Sequence, residues 1–418
     1  MEAHKQLTIG LFGFGVVGEG LYKILQQTPS LNARIKKICI RQADKKRNAP
    51  SEYFTTDRHE LLNDPEINVI VEVIDDSEAA FEIVSTALRN KKSVVSASKK
   101  MIAEHLQQML SIQQETGESF LYEAAACASI PVIRNLEEYY DNDLLHSIKA
   151  IVNGSTNFIL TKMFDEKLDF RQSLLLAQQL GFAESNPSLD VEGYDAVNKW
   201  TLLLLHAYGI VENPTHIVFN GIQNIQFSDA AVAREKNLHI KLVAQAKKLQ
   251  NGKVAAFVLP QFVKQDDHLA FVKNEYNGVV IESGFSDKQF FYGKGAGSFP
   301  TASAVLSDIS ALRYQYKYEY KKLYHHKSQE LTIDFYLRVY VSFDDWAYVP
   351  RDQFEWIEEW HAEAERKYLI GVLPFMELKS NTWWKENNTS LILTADPVIE
   401  DVEIRKLKKK SLELAGVI

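Results

Sequence analysis

Apolar runs and helical spacings alternate from the start of the chain. "LTIGLF" (7–12) is a short apolar run that ends in glycines, the pattern of a buried strand running into a tight turn. From Val16 to Gln27 the apolar spacing turns helical. "IKKICI" (35–40) and "INVIVEVI" (67–74) read as strands. The second is continuous in Val and Ile, as expected of a parallel strand covered on both faces. "SEAAFEIVSTALRNKK" (77–92) reads as a helix and "SVVSAS" (93–98) as a strand. "MIAEHLQQMLSIQQETG" (101–117) reads as one helix and "SFLYEA" (119–124) as the next strand. This alternation predicts a doubly wound parallel sheet.

Beyond about residue 130 the pattern changes. "SIPVIRNLEEYYDN" (129–142) is helical, and "HSIKAIVNGSTNFILTKMF" (146–164) reads as strand, turn and helix. "KVAAFVLPQFV" (253–263) and "GVVIES" (278–283) are strand-like, which makes this a second, α+β domain. "GKGAGSFPTASAVLSDI" (293–309) is expected to return and pack on the first domain. A third segment begins near Leu331. In it "LTIDFYLRVYVSF" (331–343) reads as a strand and "RDQFEWIEEWHAEAERKY" (351–368) as an amphipathic helix. "IGVLPFMEL" (370–378) and "TSLILTA" (389–395) read as strands and "EDVEIRKLKKKSLEL" (400–414) as a final helix. Five of the six tryptophans lie in this last segment.

Composition narrows the class. A chain of 418 residues with 46% hydrophobic content suggests two or three domains with ample core. The formal net charge of −8 argues against a nucleic-acid partner, which calls for a basic face. The basic run from Arg405 to Lys410 reads as a solvated helix face. Two cysteines, Cys39 and Cys127, suggest neither a disulfide framework nor a zinc site. The N-terminus lacks the pattern of a signal peptide, and no stretch reaches the ~18 apolar residues of a membrane span. The expectation is a soluble, cytoplasmic protein with no membrane partner.

Two clusters carry candidate chemistry. "GFGVVG" spaces glycines at 13, 15 and 18 between a strand and a helix, the G-x-G-x-x-G pattern of dinucleotide binding. Gly13 allows the tight turn, Gly15 lets the backbone approach a pyrophosphate, and Gly18 lets helix and strand pack closely. Where NAD enzymes place an acidic residue at the second strand's end, this chain has "CIRQADKKR", with Arg41 followed by Lys45, Lys46 and Arg47. A cation there suits a 2′-phosphate and favours NADP over NAD.

The second cluster is "GFAESNPSLDVEGYDAVNKW" (181–200). A helix ends at Gly181, a loop carries Glu184, and Asp190 can cap the next helix. Asp195 and Lys199 are four apart and share a face. An exposed salt bridge is the bland alternative, but the helix runs on as "WTLLLLHAYG", apolar on nearly every side. A buried lysine must be paired or give up its charge more readily. Such a lysine can exchange a proton with a reacting oxygen, while the carboxylates bind a substrate ammonium. The stretch reads as a polar pocket for a small zwitterion facing a nicotinamide cofactor.

The motifs together resemble the homoserine dehydrogenase family over roughly residues 5–315. "GLFGFGVVGEG", "VVSASKKMIAEH", "YEAAACASIPVIRNLEE", "AIVNGSTNFILTKM", "GFAESNPSLDVEGYDAVNK" and "FYGKGAGSFPTASAVLSDI" stand in the family's order. The resemblance implies reversible reduction of L-aspartate 4-semialdehyde to L-homoserine with NAD(P)H, on the route to threonine and methionine. It implies Lys199 as proton donor and acceptor, with Lys99 near the reacting centre and the cofactor. Substrate contacts fall on Gly181, Glu184, Asp190 and Asp195. Cofactor contacts fall on Gly13, Phe14, Gly15, Val16, Val17, Gly18, Arg41, Ser77, Gly295 and Gly297. A structural sodium ion is implied at Glu123, Ala126, Ala128 and Ile130, and the assembly as a homodimer or homotetramer.

The expected fold class is therefore α/β. A Rossmann domain spans 1–130, an α+β catalytic and dimerisation domain spans 131–325, and a degenerate α+β ACT-like module spans 331–418. The sequence departs from the family at "EVIDDS", "ACASIP" and the C-terminal segment. There "YLRVYVSF" is followed by "DDWAYVPRDQF" in place of the Pro-Gly loop that helps such modules bind threonine. Two alternatives remain open from the residues, a related amino-acid dehydrogenase with another substrate and an NADP-binding sensor.

Overall fold

A computed structural model describes residues 6–142, 144–326, 329–363 and 366–405. It divides into two compact units. The first gathers Met1–Asp143, Asn198–Pro214 and Gly293–Ser328; the second gathers Leu144–Val197, Thr215–Tyr292 and Gln329–Ile418.

The first unit is built on six strands: β1 (Leu7–Phe12), β2 (Ala33–Cys39), β3 (Phe54–Thr55), β4 (Val69–Glu72), β5 (Ser93–Ser96) and β6 (Phe120–Leu121). Their order is β3-β2-β1-β4-β5-β6, with every pairing parallel. This is the doubly wound order, and its crevice opens where the order reverses, outside the carboxyl ends of β1 and β4. All residues of β1 and β4 are buried, Thr8 and Glu72 included, as parallel strands covered on both faces require. The helix expected from Val16 to Gln27 has those bounds. The single helix expected over 101–117 is instead two, Lys99–Glu104 and Leu106–Thr116, broken at His105. The His105 ring stacks on Phe81 at 4.1 Å and meets Glu78, contacts with a distant segment that helical periodicity does not report.

The segment 293–309 belongs to the first unit, as its return predicts. Its helix, Ser298–Leu312, lies against the helix Val16–Gln27 at Gly20. A Cβ on Gly20 would meet Ser298 Oγ at 2.6 Å and Ser298 O at 2.9 Å, so only glycine permits this approach.

The second unit holds a ten-stranded mixed sheet: β7 (Leu145–Ile151), β8 (Val218–Phe219), β9 (Leu238–Lys248), β10 (Val254–Lys264), β11 (Tyr276–Ser283), β12 (Asp287–Lys294), β13 (Tyr336–Phe343), β14 (Trp356–Glu363), β15 (Arg366–Pro374) and β16 (Thr389–Ile399). The order is β12-β11-β7-β9-β10-β16-β13-β15-β14, with β8 on β10. Because β16 pairs with β10 at Gln261 and Leu393, the C-terminal strands extend this sheet. Phe257, Leu259, Leu337, Val339 and Trp384 share one core, so the C-terminal segment is packed into the unit.

Two expectations for that segment need correction. Among the described residues of 351–368 the expected amphipathic helix is absent; β14 and the start of β15 stand there as an antiparallel pair. The register of β14 slips between Ile357 and Glu359. A bulge inserts one residue and resets the two-residue alternation, so the apolar positions of β14 lose the period that marks a strand. "IGVLPFMEL" is likewise the end of β15 followed by a helix, Phe375–Ser380. Among the described residues the order is thus strand, strand, strand, helix, strand, without the first crossover helix of an ACT-like module. Of the final helix, residues 401–405 are helical, and the rest of it and of the basic run, 406–414, lies outside the described residues.

Candidate active site

In the first unit the glycine loop sits in the sheet's crevice. Gly13 has φ +96°, and a Cβ there would meet Val73 O at 2.8 Å. A Cβ on Gly18 would meet Gly13 O at 2.3 Å, so Gly18 closes the helix onto the turn. Gly15 is different. It has φ −90° and no atom within 4 Å of its Cβ position. Its lack of a side chain leaves open space over the helix N-terminus, the place a pyrophosphate takes.

No side chain caps the helix Val16–Gln27, whose N-cap is Gly15. The helix Ser298–Leu312 likewise has Gly297, at φ +114°, as its N-cap and no side-chain cap. By contrast Asp76 and Asn153 cap their helices. The two uncapped N-termini meet where Ser298 Oγ donates to Val16 O at 2.7 Å. Free amide hydrogens and two positive dipole ends suit an anionic ligand. Gly297, the residue before Ser298, is thereby brought close to the start of the helix at Val16. The loop before Pro131 joins them, since Ser129 Oγ donates to Lys294 O at 2.9 Å.

Phe14 packs edge-on to Phe54 at 5.1 Å and to Tyr22 at 5.8 Å. Beyond Phe54 lies a cavity of about 540 Å³ whose lining includes Lys45, Lys46 and Arg47. Arg47 stacks on Phe54 and donates to Lys45 O and Gln42 O, so its guanidinium shapes the loop. Arg41 is exposed and is not among the lining residues.

At the crevice Glu72 is fully buried. Burial pushes its carboxyl up to about 7, with Asp75 adding to the rise against hydrogen bonds from Ser96 and the Ile74 amide. Asp76 caps the helix Ser77–Arg89 by accepting from the Ala79 amide at 3.1 Å. Ser77 Oγ donates to Glu104 Oε2 at 2.7 Å, and Lys99 opens the helix Lys99–Glu104.

Glu123 is buried and accepts from the amides of Ile133 at 2.8 Å and Arg134 at 2.9 Å. Burial and the neighbouring Asp308 raise its carboxyl well above the usual range. Its carboxylate serves as a cap for the helix Val132–Glu138. Ala128 has φ +45°, an unusual turn for a residue with a Cβ, and Ile130 O accepts from the Val132 amide at 2.9 Å. Among the described residues no group of three or more His, Cys, Asp or Glu is arranged to hold a metal.

In the second unit the acidic stretch is organised around a residue the sequence reading passed over. Asn153 Nδ2 donates to Asp190 Oδ1 at 2.7 Å and to Asp195 Oδ2 at 2.8 Å. Its Oδ1 accepts from the Thr156 amide at 2.8 Å, capping the helix Gly154–Asp165. One amide side chain thus holds two carboxylates together and starts a helix. The signal was present in "NGSTN", an Asn at a strand-to-helix junction.

Glycines bring the stretch into position. Gly181, at φ +78°, ends the helix Phe170–Gln179, and Gly193, at φ +91°, lies against Asn220. A Cβ on Gly221 would meet Val191 O at 1.8 Å, and the Ile222 amide donates to that oxygen at 2.7 Å. Glu184 is exposed on its loop. Asp195 is 7% exposed in the first turn of the helix Tyr194–Tyr208, and Lys199, also 7% exposed, follows one turn later. The expected burial of this helix holds, with Trp200 and Leu202 to Leu204 fully inaccessible.

Comparison with known proteins decides the family. The family profile described as "Homoserine dehydrogenase" matches residues 131–310, and that described as "Homoserine dehydrogenase, NAD binding domain" matches residues 13–123. The homoserine dehydrogenase of Bacillus subtilis is 35% identical over 317 residues, covering 74% of this chain and 73% of its own. The chain belongs to the homoserine dehydrogenase family. A solved homoserine dehydrogenase from Thiobacillus denitrificans superposes with a TM-score of 0.80 at 26% identity, over 93% of this chain and 98% of that one. A hyperthermophilic archaeal homoserine dehydrogenase, solved in complex with NADPH, superposes with a TM-score of 0.63 at 27% identity, over 75% of this chain and 99% of its own. Membership makes the chain an NAD(P)-dependent oxidoreductase of amino-acid biosynthesis. Among the described residues no helix is long and apolar enough to cross a membrane.

Proposed function

We propose that the chain interconverts L-homoserine and L-aspartate 4-semialdehyde, with Lys199 as the proton donor and acceptor. The observation that carries this is the pair of carboxylates bridged by Asn153 at the start of the buried helix that bears Lys199. Asp190, Asp195 and Glu184, with the backbone at Gly181, bind the substrate's ammonium and hydroxyl groups. Lys199 gives a proton to the oxygen that becomes alkoxide on reduction and takes it back on oxidation. Lys99 lends positive charge near the same centre. The nicotinamide cofactor, when bound, supplies or accepts the hydride. The amides from Gly13 through Gly18, the neighbouring side chain of Phe14, Ser77 and the glycines at 295 and 297 hold it.

We favour NADP over NAD. Lys45 and Lys46 line the cavity past the end of β2, where a 2′-phosphate would find cations; Arg41 adds charge from the exposed rim. A structural sodium ion at the loop of Glu123, Ala126, Ala128 and Ile130 would draw on main-chain oxygens, because the Glu123 carboxylate is committed to two amides. The enzyme works in the cytoplasm as a homodimer or homotetramer, with β12 at the open edge of the second unit's sheet. Sedimentation velocity checks the assembly.

Absorbance of the reduced nicotinamide, with L-homoserine and NADP or NAD in parallel, tests the reaction. Lys199→Ala is expected to lower kcat by about 10²–10⁴-fold. Unchanged turnover in that variant would remove Lys199 from the chemistry, and turnover of a different amino alcohol in place of homoserine would change the substrate.

A further inference from the structure

Glu72 is a fully buried carboxylate at the sheet's crevice that the proposed reaction does not use directly. It closes β4, next to Phe12 of β1 on one side and Ser96 of β5 on the other. Both of its oxygens accept hydrogen bonds from the loops that follow these strands. The Ile74 amide donates to Oε1 at 2.7 Å, in the loop that touches Gly13. Ser96 Oγ donates to Oε2 at 2.5 Å. The same Ser96 oxygen accepts from the Ser98 amide at 3.1 Å, and Ser98 is the N-cap of the helix that begins with Lys99. Main chain doubles the tie, since the Ala97 amide donates to Glu72 O at 3.0 Å. An apolar residue of similar size at 72 would fill the space but leave the Ile74 amide and the Ser96 hydroxyl without this acceptor.

We propose that Glu72 is a positioning residue for hydride transfer, its carboxylate fixing the β4 and β5 loops and, through Ser96 and Ser98, the start of the helix that carries Lys99. The inference rests on the proposed role of Lys99 beside the cofactor. Burying a carboxylate is costly, and a glutamate kept at such a cost in a crevice marks a candidate functional position. Both of its oxygens accept, so an amide in its place reverses the hydrogen-bond sense at Ser96. The loops stay in place roughly, but the start of the Lys99 helix loses its fixed partner, and small displacements near reacting atoms cost rate more than affinity.

The test uses the full chain with Glu72→Gln, Ser96→Ala and Ser96→Thr, reading NADPH affinity by fluorescence titration and kcat and KM for L-homoserine. Glu72→Gln and Ser96→Ala are expected to lower kcat at least tenfold while the NADPH Kd changes less than threefold. Ser96→Thr, which keeps the hydroxyl, is expected to stay within threefold of the parent in kcat. Wild-type kcat in Ser96→Ala overturns the proposal even where Glu72→Gln does not fold. A parallel loss of NADPH affinity and kcat also overturns it, because Glu72 would then serve only the shape of the cofactor loop. Failure of the underlying reading is recognised separately. If Lys99→Ala retains the parent kcat, Lys99 is not part of the centre, whatever Glu72 does.

Discussion

Asn153→Asp puts the carboxylate cluster to its most direct test. The aspartate keeps the helix cap, because its Oδ1 can still accept from the Thr156 amide. What changes is the amide nitrogen that now lies 2.7 Å from Asp190 and 2.8 Å from Asp195. Two hydrogen bonds to charged groups, each contributing about 1.5–3 kcal/mol, are lost. In their place stand two like-charge contacts. At about 4 Å and an effective dielectric of about 20, each is worth about 4 kcal/mol of repulsion. Three carboxylates at these separations cannot all ionise, so the folded variant holds one proton that the unfolded chain releases near pH 4. A carboxyl raised in the folded state adds stability at low pH that is lost as pH rises. The slope is about 1.4 kcal/mol per pH unit for one proton. The variant is therefore expected to be less stable than the parent by up to about 6 kcal/mol at pH 8, and by about 2 kcal/mol at pH 5.5. Urea unfolding at pH 5.5, 6.5 and 8 measures it, and KM for L-homoserine at pH 8 should rise. Asn153→Ala removes cap and donors without adding charge, so its deficit should vary less with pH. If Asn153→Asp shows the same deficit at pH 5.5 and pH 8, the three carboxylates are not coupled and the reasoning fails.

The glycine loop separates two roles by substitution. Gly18→Ala places a Cβ 2.3 Å from Gly13 O and is expected to cost about 3 kcal/mol in unfolding free energy. Gly15→Ala has open space and an ordinary φ, so its stability should stay within about 0.5 kcal/mol of the parent, while its NADPH Kd rises at least tenfold by fluorescence titration. Lys241, buried and donating to Asn157 Oδ1, is lowered to about 7 by burial, with Lys273 adding to the fall against Asp165. Its proton is bound by the unfolded chain but not the folded one between about pH 7 and pH 10, so stability rises with pH across that window. Lys241→Met should abolish up to about 1.4 kcal/mol per pH unit of that slope in urea unfolding. Lys45→Glu with Lys46→Glu should raise KM for NADP at least tenfold and leave KM for NAD within threefold; equal changes would argue against the cavity as the 2′-phosphate site.

Much of the first unit was legible because its rules are local. An apolar strand, a glycine turn and a helix at Val16–Gln27 follow from neighbouring residues, and so do the bounds of the helix itself. The buried helix behind Asp195 and Lys199 was legible for the same reason, since "TLLLLHAYG" leaves no polar face. The strand β14 was not legible. Its bulge between Ile357 and Glu359 breaks the alternation that marks a strand, and only pairing with β15 reveals it.

The sequence by itself determined the alternating order of strands and helices, the glycine loop and the acidic stretch, because each is written in spacing along a few residues. Tertiary structure alone decided which distant groups meet. Asn153 reaches Asp190 and Asp195 across some forty positions only because a turn, a short helix and the Gly193–Gly221 contact fold them together. The uncapped helix ends at Gly15 and Gly297 become neighbours, and Glu72 becomes the tie between two loops, through sheet order and close packing. The C-terminal strands join the second unit's sheet through β10 and β16. Hydrogen bonds and packing act over a few ångströms in space, with no regard for separation along the chain, so no local pattern could announce them.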